Sequence, residues 1–380
     1  MKTKNLLLPG IAILSTLFFT ACKRIKIDHL CDDNGKIVAT SKVFATGFNN
    51  PRGLKFGPDG YLYVAEGGIG GNNPATACSP VVPPIGPYTG SATGSRISRV
   101  DKAGNVSTWV DHLPSSQTAA TGGSFVSGVG DIAFVGNTLY AVLGGAGCSH
   151  GIPSIPNGVI KINSDRSWQM IANLSQYQMT HPVLNPEPDD FEPDGTWYSI
   201  INVHGSLYAV EPNHGELDKI TTDGHISRIS DISASQGHIV PTVQAFHNGN
   251  FYVGNLGLFG DPTSVSKVFR ITPDGNVSVV ATGFKMILGI TFDDLGGMYV
   301  LESTTKNLFP TPGTGDVVRI DESGSRQVLV TGLNLPTGMT FGPDHKLYIS
   351  NWGFGMPPNG VGQILQVSFS CDRIEGEQNQ

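Results

Sequence analysis

Two stretches near opposite ends of the chain are close copies of one another: PRGLKFGPDGYLYVAE at 51–66 and PTGMTFGPDHKLYISN at 336–351. Each reads as strand, turn, strand. Leu54 and Phe56 alternate with polar residues, Gly-Pro-Asp-Gly supplies the reversal, and Leu62, Tyr63 and Val64 resume a β-rich run. A repeat at such a distance constrains the fold more than any composition can. The second strand recurs at Leu62-Tyr63, Leu139-Tyr140, Leu207-Tyr208, Phe251-Tyr252, Met298-Tyr299 and Leu347-Tyr348, at spacings of 77, 68, 44, 47 and 49 residues. Three of the five fall near the roughly 40–50 residues of a propeller blade. A further strand pair about an acidic or glycine turn follows each copy, as at 95–110, 267–284 and 316–333. Four strands per unit and six units predict an all-β, six-bladed β-propeller.

The sixth unit runs out early. After Leu347-Tyr348 it offers one more strand, QILQVSFS at 363–370, before a polar tail. The missing strand is at the other end: KVFATGF at 42–48 matches VVATGF (279–284) and VLVTGL (328–333), which close other blades. Pairing 42–48 with 363–370 shuts the ring and removes two exposed sheet edges. It also makes the first and sixth blades neighbours. The expected domain runs from 41 to 371, between a tether at 23–40 and a tail at 372–380.

Lys2 and Lys4 precede an apolar stretch from Leu6 to Phe19, too short and too N-terminal for an ordinary spanning helix. It ends in Phe19-Thr20-Ala21-Cys22, which resembles the lipobox of bacterial lipoproteins. Residues 1–22 are then a signal peptide with Cys22 as the lipidated residue, and the lipid anchors the protein to a membrane of the cell envelope. A net charge of −7 argues against a nucleic-acid partner. In the predicted ring, Cys31 and Cys371 flank the two closing strands, and Cys78 and Cys148 sit in long loops after the second strands of blades 1 and 2. Disulfides Cys31–Cys371 and Cys78–Cys148 are the pairings expected for an exported protein.

Insertions at 67–94, 111–128, 144–157 and 175–195 account for the two long spacings, and all emerge on one face of a propeller, where binding concentrates. Glu66, Glu211, Asn255, Glu302 and Asn351 stand just past equivalent strands on that face. His150, His181 and His238 lie nearby, with Trp197, Trp352 and Phe354 as ring platforms. Converging carboxylates can hold a divalent cation weakly through oxygen ligands or serve as a general base. The same residues can instead cap strand ends by accepting from loop amides. The acidic run NPEPDDFEPDG (185–195) lacks the spacing of a calcium loop and reads as solvated. No Gly-x-Ser-x-Gly, His-Glu-x-x-His or Cys-x-x-Cys motif is present.

The phrases ATGFNNPRGLKFGPDGYLYVAE, VVATGFKMILGITFDDLGGMYVLE and LVTGLNLPTGMTFGPDHKLYISNWG resemble the ScyD/ScyE family of exported propellers, over roughly residues 40–370. The resemblance implies an extracytoplasmic six-bladed ring with a part in handling small or aromatic metabolites. A wider likeness is to the calcium-dependent lactonase propellers, gluconolactonase and paraoxonase. Those aim Asn, Asp or Glu at a channel metal from positions that here read Arg52, Gly130, Tyr198, Thr242, Leu288 and Thr337. None is an anionic or amide ligand. The expected function is therefore binding of a small molecule or protein through the loop-rich face, with an enzyme on a small metabolite, aromatic or otherwise, as the alternative.

Overall fold

The computed structural model describes residues 36–372 apart from 79–84, 119–124, 187–191, 259–260, 262, 307–308 and 354–358. Six antiparallel sheets surround a central axis, and each takes its strands from consecutive chain except the last. Four blades run outward as inner strand, second, third and outer strand: Val129–Val135 to Trp168–Asn173, Ser199–Val203 to Ile226–Asp231, Pro241–His247 to Val277–Phe284, and Ile287–Phe292 to Arg326–Leu333. The sixth blade is Gly338–Phe341, Leu347–Asn351 and Gly362–Asp372, completed by the N-terminal strand Lys36–Phe48. That closing pair matches Lys42 with Gln366 and Val43 with Leu365. It is longer than 42–48. The strand begins at Lys36, inside the stretch expected as tether, and its partner continues to Asp372.

The repeated tyrosine explains why the ring holds. On each second strand it is aimed across a seam at the next blade. Tyr63 meets Phe134 edge-on with centroids 5.2 Å apart, Tyr252 meets Phe292 at 4.9 Å, Tyr299 meets Phe341 at 5.0 Å and Tyr348 meets Phe56 at 5.0 Å. Edge-to-face pairs at this distance add to the stabilisation from area burial. The last pair joins blade 6 to blade 1, so the copied sentence at the chain's two ends supplies both halves of the closing contact. The core is accordingly a set of seams between blades. Ile97, Ile132 and Leu143 fill one, and Val142, Trp197 and Ile200 fill the next.

Two of the expected loops carry regular structure. The third and outer strands of blade 1 extend past the blade as a long hairpin, Thr89–Val100 with Val106–Gln117, joined by the short strands Asn73–Pro74 and Val126–Ser127. The hairpin lies against blade 2 so tightly that a Cβ on Gly90 would stand 2.1 Å from the His150 carbonyl oxygen. That close approach accounts for the glycines and serines of this segment, which on their own suggest irregular chain. The 175–195 connection opens with a helix, Leu174–Thr180, whose N-cap Asn173 accepts from the Gln176 amide at 2.9 Å.

Cys78 and Cys148 are bonded, with Cα atoms 5.4 Å apart. Cys22 and Cys31 lie outside the described residues. Cys371 is disulfide-bonded, and its partner lies outside them too.

Candidate functional site

The five residues past the second strands are all buried, and each is held within its own blade. Glu66 accepts from the Asn49 amide at 2.6 Å, from Arg96 Nε at 2.7 Å and from the Ser98 hydroxyl. Glu211 accepts from the Thr196 amide at 2.8 Å and from the His214 amide, with the His214 ring 3.2 Å away. Asn255 donates to the Ile239 carbonyl at 2.8 Å and accepts from the Lys267 amide at 2.6 Å. Glu302 accepts from the Lys285 amide, and Asn351 from the Asn334 amide at 2.8 Å. The partner in most blades is the chain about to enter the inner strand. These side chains therefore cap strand ends and pin the incoming connection, which leaves few free oxygens for a cation.

Glu302 differs from the rest. It faces Asp316 across the strand pair, and burial, then the Asp316 charge, pushes its carboxyl up to about 8. Burial also raises Glu66, against Arg96 and Ser98. In blade 3 burial lifts Asp218 to about 7, beside Glu216, which is itself held well above the carboxylate range by burial and by Asp218.

The channel is closed near the loop-rich end. Arg52, 2% exposed, donates from Nη1 to the Tyr198 hydroxyl at 3.0 Å and from Nη2 to the Val126 carbonyl, and its guanidinium lies 5.4 Å from the Tyr198 ring centre. Thr337 Oγ1 donates to the Pro51 carbonyl at 2.6 Å, and Thr242 Oγ1 to the Ile287 carbonyl at 2.6 Å. Behind this layer remains a cavity of about 30 Å³, room for one or two waters. A calcium site of the lactonase design does not fit these residues. A fixed guanidinium stands among the positions where oxygen ligands would be needed, and the two threonine hydroxyls already donate to carbonyls.

The loop-rich face holds a hydrogen-bonded chain that the sequence hides. The Ser116 hydroxyl lies 2.5 Å from His150 Nδ1, and His150 Nε2 lies 2.8 Å from the Glu192 carboxylate. All three are buried, and the Tyr88 ring stacks on the imidazole at 4.3 Å. Burial works to lower the His150 pKa, but Glu192 and then Asp194 outweigh it and the net shift is upward. Asp194 accepts from the Cys148 amide at 2.7 Å and from the Ser149 hydroxyl, tying the disulfide loop to the same knot. Glu192 and Asp194 belong to the run expected to be solvated; each is 1% exposed, because the imidazole and the amides of 148–149 replace its water.

The remaining candidates scatter. His238 is half-buried in the connection before Pro241, and His181 is exposed and stacks on Tyr177 at 4.3 Å. Trp352 is half-buried with φ +57°, its amide donating to the Asn334 carbonyl at 2.7 Å. Trp197 is not a ring platform: it is 1% exposed in the seam between blades 2 and 3, its indole 3.4 Å from Asp218. Phe354 lies outside the described residues.

No protein-family model matches the chain, and no curated protein matches it. Solved structures do. A structural-genomics protein of unknown function from Bacteroides thetaiotaomicron aligns with TM-score 0.56 at 12% identity, over 88% of this chain and 77% of that one. A putative oxidoreductase (glucose dehydrogenase) from Thermus thermophilus aligns with TM-score 0.55 at 15% identity, over 87% and 100%. A gluconolactonase from Xanthomonas campestris aligns with TM-score 0.53 at 10% identity, over 90% and 96%. At these identities the likeness shows the six-bladed propeller fold and nothing finer. The ScyD/ScyE resemblance receives no support from these comparisons.

Proposed function

We propose that the protein is an exported, lipid-anchored propeller of the cell envelope, of the ScyD/ScyE kind, that binds a small molecule or a protein partner through its loop-rich face. The observation that carries this reading is the Arg52–Tyr198 contact across the channel. With that channel end closed and the strand-end side chains engaged with backbone, what this face offers a ligand is the surface built by the insertions. Disulfide Cys78–Cys148 and the extended hairpin of blade 1 hold that surface rigid, which reduces the entropy lost on binding. Any divalent cation on this face would be bound weakly, since its carboxylates already accept hydrogen bonds. Anchoring rests on the Lys2, Lys4 and Cys22 pattern.

A thermal-shift screen of metabolites, repeated on a variant whose hairpin is shortened by removing 89–94 and 113–117, tests the reading. Ligands of the loop-rich face that stabilise the parent protein should lose their effect on the trimmed one. A screen in which every stabilising ligand is indifferent to the trimming would overturn it.

A second reading, an enzyme acting on a small metabolite, aromatic or otherwise, is favoured by the Ser116–His150–Glu192 chain. An imidazole between a hydroxyl and a carboxylate is the arrangement that activates a serine nucleophile. It ranks second because Ser116 is fully buried within the hairpin. A fluorophosphonate probe separates the two: labelling at Ser116 supports the enzyme, and an unmodified Ser116 supports the binding module.

A further inference from the structure

The inner strands begin at the loop-rich face and end at hairpin turns on the opposite one. At that opposite end the channel widens into a blind cup of about 470 Å³, within the roughly 300–1,000 Å³ of small-ligand sites. Inner strands of five blades line it. Lys55, Gln244, Ile290 and Met339 line both the cup and the small cavity behind it, so that cavity is the cup's floor.

Two groups on residues lining this cup, an ammonium and an amide oxygen, have no hydrogen-bond partner among the described residues. One is Lys55. The residue opposite the repeat tyrosine in each blade is Lys55, Ala133, Ile201, Ala245, Thr291 and Thr340. A single cation therefore stands in a ring of otherwise small or apolar residues; the cup's two carboxylates follow Phe292 in the turn, Asp293 3.3 Å from Arg319 and Asp294 3.8 Å from His345. It is half-buried and, among the described residues, makes no hydrogen bond and no salt bridge. Asp131 acts on it only through space, with its own oxygens engaged by the Ile132 amide at 2.8 Å, the Ile200 amide at 3.1 Å and the Ser199 hydroxyl at 3.2 Å.

The other is Gln244, 3% exposed. Its Nε2 donates to the Tyr208 carbonyl at 2.7 Å and points at the Ser199 carbonyl at 3.5 Å. Those two carbonyls fix the amide, because the reverse orientation would set oxygen against oxygen. Gln244 Oε1 is then left as a buried acceptor with no donor, a costly state unless a ligand or water supplies one. Beside it the His247 ring stacks on Phe292 at 4.2 Å, a flat apolar wall continued by Ile201 and Met339.

We propose that this cup binds a small aromatic hydroxycarboxylate, with its carboxylate on the Lys55 ammonium, its hydroxyl donating to Gln244 Oε1 and its ring on the His247–Phe292 wall. The site lies at the other end of the channel from the loop-rich face and is independent of the function proposed for that face.

Titration calorimetry on the full chain tests it with three probes: mandelate, phenylacetate, which lacks the hydroxyl, and mandelamide, which lacks the charge. Mandelate should bind saturably, and each analogue at least about tenfold more weakly, as expected for losing one buried or charge-assisted hydrogen bond. Lys55→Met should lose at least about tenfold in mandelate affinity and Lys55→Arg should keep most of it, while Gln244→Leu should reduce mandelate to the level of phenylacetate. Melting curves show whether each variant is folded. If one is not, the comparison of the three probes on the parent protein decides alone. Trimming the 89–94/113–117 hairpin should leave mandelate binding unchanged, which separates this site from the loop-rich face. Equal affinities for the three probes, no saturable binding, or a folded Lys55→Met variant that binds mandelate normally would overturn the proposal.

Discussion

Arg52 Nη1 stands 3.0 Å from the Tyr198 hydroxyl, a contact between residues 146 positions apart that links blade 1 to blade 3 across the axis. It joins blades that share no seam. Removing it should destabilise the ring as a whole. Arg52→Ala leaves the Val126 carbonyl and the Tyr198 hydroxyl short of a donor, and should cost about 2–3 kcal/mol. Urea unfolding should show that loss with an unchanged slope. A variant as stable as the parent would mean the contact is incidental.

Ring closure depends on the Lys36–Phe48 strand. Its deletion strips the partner from Gly362–Asp372, bares that strand's edge, and takes Ala45 and Phe48 out of the seam between blades 6 and 1. Size-exclusion chromatography of the 49–380 fragment should show aggregation, and its calorimetric melt should broaden. A sharp melt at the parental temperature would contradict the closure.

Stability should fall as pH rises from weakly acidic to weakly alkaline. Glu302 is held up to about 8 by burial and Asp316, so the folded state keeps a proton that the unfolded chain releases near the ordinary carboxyl value. The folded state binds more protons in that window, so this contribution is complete below about pH 4 and is lost as pH passes through about 8. Asp218, raised to about 7, acts in the same direction. Melting temperatures between pH 5 and 9 should therefore slope downward, and Glu302→Gln should flatten the slope and melt higher at the alkaline end. Parallel curves for the two proteins would refute the assignment.

The Cys78–Cys148 bridge spans 70 residues. Chain entropy alone places its contribution at up to about 4 kcal/mol. The Cys78→Ser, Cys148→Ser double variant should unfold at lower denaturant, and it should lose amide protection in the blade 1 hairpin before the rest of the ring. Uniform loss of protection across all six blades would show that the bridge does not act locally.

The fold was legible because a propeller writes its geometry into a repeat. Tyr63, Tyr140, Tyr208, Tyr252, Tyr299 and Tyr348 mark six equivalent strands, and the likeness of 42–48 to 279–284 and 328–333 is the likeness of three outer strands. The site was much less so. That Glu66 would meet the Asn49 amide 17 positions earlier depends on how the chain enters each blade, and strand-end position alone fits a cap and a ligand equally well. Ser116, His150 and Glu192 come from three separate insertions with no local spacing to connect them. Arg52 was visible as a departure from the lactonase pattern, but its reach to Tyr198 could be seen only once blades 1 and 3 faced each other. Gln244 carried no signal at all, because its meaning lies in an acceptor left empty by folding.

The Arg52 guanidinium closes the channel and leaves no metal-centred site there. Calcium titration of the full chain after chelator treatment should therefore give no saturable heat at concentrations up to about 1 mM, the weak end of affinities for extracellular calcium modules. Arg52→Lys, which keeps the charge, should behave the same way. Stoichiometric binding in the micromolar range that is abolished by Thr242→Val or Thr337→Val would contradict it.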